Sequence, residues 1–127
     1  MFGIVLFPLD SSRQALETAT KAIELARSHN GRMVLLSVVE PNRPGMEDPA
    51  VVAQLLERTR LQVEQAGVAC EVVERQGQPA FVIGDVADEL NVDVIVMGSR
   101  GVNLETESES TAAKVIQLAP CPVLVVP

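Results

Sequence analysis

The stretch "VDVIVMGSRG", residues 92–101, decides the fold. A short, unbroken apolar run bounded by glycine reads as a strand buried on both faces. Gly98 and Gly101 then give a turn that brings main chain close to whatever lies above it, and consecutive N–H groups in such a turn form a nest for an anion. A helix is expected next, from about Ser108 to Leu118, followed by a last strand in "CPVLVVP". Strand, glycine turn and helix in that order make one unit of a parallel sheet.

Working outward, the same unit recurs. "FGIVLF" and "RMVLLSVVE" are two further buried strands, and "VACEVVER", more charged and more alternating, reads as an edge strand. Between them run helical patterns. Ala15, Leu16, Ala19, Ala22, Ile23 and Ala26 mark the first, with Asp10 and Ser11 as N-cap candidates and Gly31 as its left-handed stop. Val51, Val52, Leu55, Leu56, Thr59 and Val63 mark the second, closed by Gly67. Pro79 opens the third, whose buried face is Val82, Ile83, Val86, Ala87 and Leu90; Asp85, Asp88, Glu89 and Asp93 read as its wet side. Strict alternation predicts an α/β fold: a doubly wound, open, five-stranded parallel sheet with helices on both faces. The expectation is a single domain over residues 1–127, with no linker.

Composition narrows the partners. The chain of 127 residues is 47% hydrophobic but 2% aromatic, so its core is aliphatic, and its formal net charge is −7. An acidic surface repels nucleic-acid backbones and anionic membranes, so neither is expected as a partner. No apolar run reaches the ~18 to 20 residues of a membrane span. "MFGIVLFPLD" lacks the basic start of a signal peptide, and Cys70 and Cys121 have no metal-type spacing; together these predict a cytoplasmic location with two reduced thiols. His29 is the lone histidine and sits at a helix end, which leaves histidine triads and histidine-rich metal sites little to work with. With no evident general base or arginine finger, the expectation is a non-enzyme, at most a weak nucleotide hydrolase.

In open parallel sheets ligands bind beyond the carboxyl ends of the strands, where strand order reverses. "PLDSS", "SVVEP", "QGQP" and "MGSRG" reach that crevice. Asp10 there either accepts hydrogen bonds from a ribose diol or caps the helix it precedes. Val38 either reads an adenine edge through its main chain or simply packs in the core. The loop "PNRPGMEDP" either closes over a ligand or is a bare surface connection, the latter being the default.

These residues carry a resemblance. "VDVIVMGSRG", "APCPVLVVP" and "QGQPAFVIGDVADEL" resemble the universal stress protein family over essentially the whole chain. The resemblance implies strand order 3-2-1-4-5, a homodimer joined through the last strand (Pro122 to Val126), and, in some members, bound ATP or AMP; other members bind no nucleotide. It places an adenine-nucleotide site at Pro8, Asp10, Val38, Met97, Gly98, Arg100 and Gly101, with Ser110 and Thr111 on the phosphate side. Members that bind use Gly-x2-Gly-x9-Gly-Ser/Thr. Here Thr111 stands at the third glycine; aligned instead from "APCPVLVV", the glycine falls on Glu109, the hydroxyl on Ser110, and the loop is two residues short.

That departure has an electrostatic consequence. A helix N-terminus favours an anion, but here Thr106-x-x-Glu109 fits a capping box, in which the chain supplies the anion itself, and Glu105 and Glu107 add like charge. Two unit charges ~4 Å apart interact by about 4 kcal/mol at an effective dielectric of ~20, less after screening. The expected penalty for an ATP tail is roughly one to three powers of ten in affinity. AMP or adenosine is therefore favoured over ATP, with Mg²⁺ relevant only if ATP binds, by bridging phosphates to glutamates. The plain alternative is that these glutamates form a solvated surface, and the protein is a homodimeric stress or interaction protein that binds no nucleotide.

Overall fold

Strands without a polar break have no face to give to water, and they occupy the middle of one sheet in the computed structural model, which describes residues 1–99 and 111–127. β1 (Ile4–Pro8), β2 (Arg32–Val39), β3 (Cys70–Gln76), β4 (Val94–Gly98) and β5 (Val123–Val126) alternate with α1 (Ala15–Ser28), α2 (Pro49–Gln65), α3 (Pro79–Glu89) and α4 (Thr111–Leu118). The sheet order is β3-β2-β1-β4-β5 and every pairing is parallel, as expected. Any start of α4 before Thr111 lies outside the described residues.

The two-residue period of a strand sorts the core into two layers. Val5, Phe7, Leu35 and Val96 face α1 and α2, where Ala19, Ala22, Val52 and Leu56 cover them. Leu6, Val34, Leu36 and Ile95 face α3 and α4, where Ile83, Val86, Ala112 and Val115 cover them. Leu16 and Val51 depart from the expected buried faces, being 67% and 47% exposed. Both sit in the first turn of their helix. Periodicity reports the phase of an apolar stripe, not how far the sheet beneath it extends.

Three further expectations are corrected. The left-handed residue that ends α1 is Asn30 (φ 52), not Gly31. Gly31 serves a close approach instead: a Cβ there would lie 2.7 Å from the carbonyl oxygen of Phe2 and 2.8 Å from that of Gly3. Neither Asp10 nor Ser11 caps α1, whose N-cap position is Gln14 without a side-chain cap bond. Residues 11–14 form a turn first, so the helix starts too far along for Asp10 to reach its free N–H groups. Asp93 is not on a wet face: its Oδ2 accepts a 2.8 Å bond from the Ile4 amide and ties the entry of β4 to that of β1. Gly67 (φ 84) does close α2 in the left-handed region, and Pro79 does open α3, with the Gln78 side chain accepting from the Phe81 amide.

Sheet register creates the crevice. β1 pairs with β2 as far as Pro8 opposite Leu36, and β4 pairs with β5 as far as Gly98 opposite Val126. β1 and β4 pair only at Val5–Val94 and Leu6–Ile95. Beyond that point the two central strands part, at the place where the chain's winding reverses direction across the sheet.

Candidate functional site

The gap between β1 and β4 opens into a cleft of about 310 Å³ lined by Pro8, Asp10, Val38, Met97, Gly98 and Thr111, among others. That volume is at the lower end of the range for small-molecule pockets. Six of the nine residues expected from the sequence therefore meet at one place. Arg100, Gly101 and Ser110 lie outside the described residues, as do Glu105, Glu107, Glu109 and the Thr106–Glu109 capping box.

Main-chain stitching fixes where Asp10 stands. The Leu9 amide donates to the Leu36 carbonyl at 2.7 Å, and the buried Ser37 hydroxyl donates to the Leu9 carbonyl at 2.7 Å. The exit of β1 is thus sewn to the end of β2, and Asp10 follows directly above it. Val38 and Met97 both belong to the core layer facing α3 and α4, so the packing role of Val38 is real. Gly98 supports the floor in an unexpected way: a Cβ on it would stand 3.1 Å from Thr18 Oγ1, so the missing side chain makes room for the buried Thr18 of α1.

The Asp10 carboxylate is held at both oxygens. Oδ1 accepts from the Ser12 amide at 3.0 Å, a local turn bond, and Oδ2 accepts from Arg43 Nη2 at 2.9 Å. Burial pushes the carboxyl up, but the Ser12 hydroxyl and amide and the Arg43 guanidinium outweigh it and hold Asp10 below its ordinary value. Arg43 Nη1 donates to Glu40 Oε2 at 3.0 Å, so one guanidinium spans two carboxylates.

Arg43 and Met46 are not expected at the site from the sequence, because residues 41–49 read as a bare connection by default; Glu40 is expected only as part of the segment "SVVEP" that reaches the crevice, with no partner assigned. The segment is folded. Glu40 N donates to the Met46 carbonyl (2.8 Å), Met46 N to the Arg43 carbonyl (3.0 Å) and Arg43 N to the Glu40 carbonyl (3.1 Å). Met46 is 1% exposed and packs in the same core layer as Phe7 and Leu9. Gly45 (φ 87) passes so close to the β1–α1 connection that a Cβ on it would lie 2.6 Å from Ser11 Oγ. A signal was present: Met46 is the one large apolar side chain between Val39 and Val51, and a lone apolar residue in a polar loop needs somewhere to go.

Among the described residues no group of three or more His, Cys, Asp or Glu could hold a metal ion, and no helix is long and apolar enough to cross a membrane. Burial raises both thiols, Cys70 to about 11, which suits neither for nucleophilic work. His29 caps the end of α1 and meets the Phe2 ring edge-on at 5.3 Å between centroids, away from the cleft.

Comparison with known proteins agrees with this architecture. Universal stress protein Sll1654 of Synechocystis sp. is 49% identical over 136 aligned positions, covering 100% of this chain and 87% of that protein. A universal stress protein crystallised in complex with cAMP superposes with a TM-score of 0.84 at 22% identity, covering 98% of this chain and 96% of the other. The universal stress protein from Archaeoglobus fulgidus in complex with dAMP superposes at 0.77 with 23% identity, covering 100% and 98%. At those identities the two structures speak for the fold. The model of the universal stress protein family matches residues 1–127, and the chain belongs to that family.

Proposed function

We propose that the cleft binds an adenine nucleotide as a regulatory ligand, with AMP or adenosine favoured over ATP, in a cytoplasmic, non-catalytic homodimer. The observation that carries this reading is the meeting of Asp10, Val38, Met97, Gly98 and Thr111 where β1 and β4 part. Asp10 is the ribose acceptor, the end of β2 at Val38 flanks the base, and Gly98 with Thr111 lies on the phosphate side. The cAMP and dAMP bound by the two structural neighbours are adenine nucleotides of the same size class, which supports the choice of ligand. The bias against ATP rests on Glu105, Glu107 and Glu109.

The dimer reading rests on β5, which ends the sheet and leaves Leu124 45% exposed. An open sheet edge of this kind invites pairing with a second copy. The same edge is the basis for the second reading, a homodimeric interaction protein that binds no nucleotide.

Calorimetric titration at one fixed salt concentration separates these. AMP should bind more tightly than metal-free ATP, and Mg²⁺ should narrow the gap. Reversing the charge of Glu105, Glu107 and Glu109 together should raise ATP affinity by about ten-fold or more while leaving AMP nearly unchanged. Absence of heat and of any melting shift with millimolar AMP would end the nucleotide reading and leave the second.

A further inference from the structure

We propose that Arg43 is a positioning residue that gives the cleft its preference for a vicinal diol, by locking the Asp10 carboxylate so that one acceptor site on each oxygen stays available. This inference rests on the adenine-nucleotide reading and deepens it. An ionised carboxylate offers about four lone-pair sites over its two oxygens. The protein's two N–H bonds fall on different oxygens, Ser12 N on Oδ1 and Arg43 Nη2 on Oδ2. Each oxygen then has one site left, and Asp10 lines the cleft. The Ser12 hydroxyl also donates to the carboxylate, and it is the donor a ligand hydroxyl displaces, because its O–H can rotate away while the Ser12 amide and Arg43 stay in place. Two adjacent acceptor sites match the two O–H donors of a ribose 2′,3′-diol; a 2′-deoxyribose fills only one.

The lock works because Arg43 is itself held. Its second N–H arm is on Glu40 Oε2, and its backbone belongs to the closed 40–46 turn that the buried Met46 anchors. A planar fork fixed at both arms sets the plane of the carboxylate it meets, whereas a carboxylate held by Ser12 alone turns about its terminal torsion, which is broad. The preference for ribose over deoxyribose is therefore assigned to a residue in the β2–α2 connection, away from the strand that bears the acceptor.

The test is the ratio of AMP to 2′-deoxyAMP affinity in the full-length protein, by titration calorimetry. Arg43→Gln removes a positive charge, which acts on both ligands alike, so the ratio cancels that effect. The unaltered chain should prefer AMP by about ten-fold, the scale of one hydrogen bond to a charged acceptor. Arg43→Gln should bring the ratio below about three-fold, and Arg43→Lys, which keeps the charge but not the fork, should fall between. Glu40→Gln puts a neutral acceptor in place of the charged one on the other arm, loosening the fork without touching Asp10, and serves as the milder variant; it should lower the ratio partially at a urea midpoint close to the parent's. An unaltered chain that binds AMP and 2′-deoxyAMP equally, or an Arg43→Gln protein that retains the full ratio, overturns the inference while leaving nucleotide binding intact. A chain that binds neither ligand overturns both.

Discussion

Replacing Gly45 by alanine tests whether the β2–α2 connection is docked as the structure has it. Gly45 sits at φ 87, where an L side chain is strained by about 1–2 kcal/mol. The new Cβ would lie 2.6 Å from Ser11 Oγ and 3.3 Å from Ser11 Cβ. The hydroxyl can rotate away, at a cost of order 0.5–1 kcal/mol. Stiffening of the unfolded chain offsets about 0.4–1 kcal/mol of the total. The net expectation is a loss of about 1–2 kcal/mol, read as a lower urea midpoint with unchanged slope. Repeating the substitution in a Ser11→Gly background removes the partner in the contact. The loss from Gly45→Ala should then shrink by about 0.5–1 kcal/mol, a coupling that a double-mutant cycle isolates. Amide exchange at Glu40 and Met46, whose hydrogen bonds close the turn, should speed up in the single variant. A Gly45→Ala protein as stable as the parent would refute the left-handed geometry. Equal losses in both backgrounds would refute the approach of the two loops.

Three other outcomes follow from the same structure. Gly31→Ala drives a Cβ into the backbone carbonyls of Phe2 and Gly3, neither of which can rotate away, and should destabilise by about 1–3 kcal/mol; Gly67→Ala, with nothing within 4 Å of its Cβ, should show only the ~1 kcal/mol strain of its φ. The Ser12 hydroxyl and amide and the Arg43 guanidinium hold Asp10 below the ordinary aspartate value, so the pair with Arg43 contributes stability above that ordinary value and loses it as pH falls through the lower folded one. The stability difference between the parent and Asp10→Asn should therefore be flat from pH 8 to about 5 and shrink below about 4; a difference that persisted unchanged to pH 3 would rule out the assignment. Cys70, raised to about 11, should react with iodoacetamide at pH 8 roughly a hundred-fold more slowly than a free thiol, judged by the timed mass shift.

The value of the loop Val39–Asp48 to this protein comes from long-range contact, and that is why it escaped the sequence. Arg43 and Asp10 are 33 residues apart, and their meeting depends on β2 lying beside β1 and on Met46 finding a pocket near Phe7. Local rules assign Pro and Gly to a turn correctly and stop there. The same limit explains Asp93: on the chain it follows a helix, and only the pairing of β1 with β4 brings the Ile4 amide to it. It explains Gly98 as well, whose missing side chain answers to Thr18 of a helix far back in the chain.

What the sequence determined alone is everything governed by period and local backbone chemistry. Unbroken apolar runs specified buried strands, helical spacing specified the stripes on α1 to α3, and strict alternation specified a parallel sheet with its crevice at the carboxyl ends, where Asp10, Val38, Met97 and Gly98 all stand. Only the tertiary structure decided which charge Asp10 keeps company with, because a carboxylate's partner is whichever donor the packed loops deliver within 3 Å. Sequence distance carries no information about that, and the burial of one methionine does.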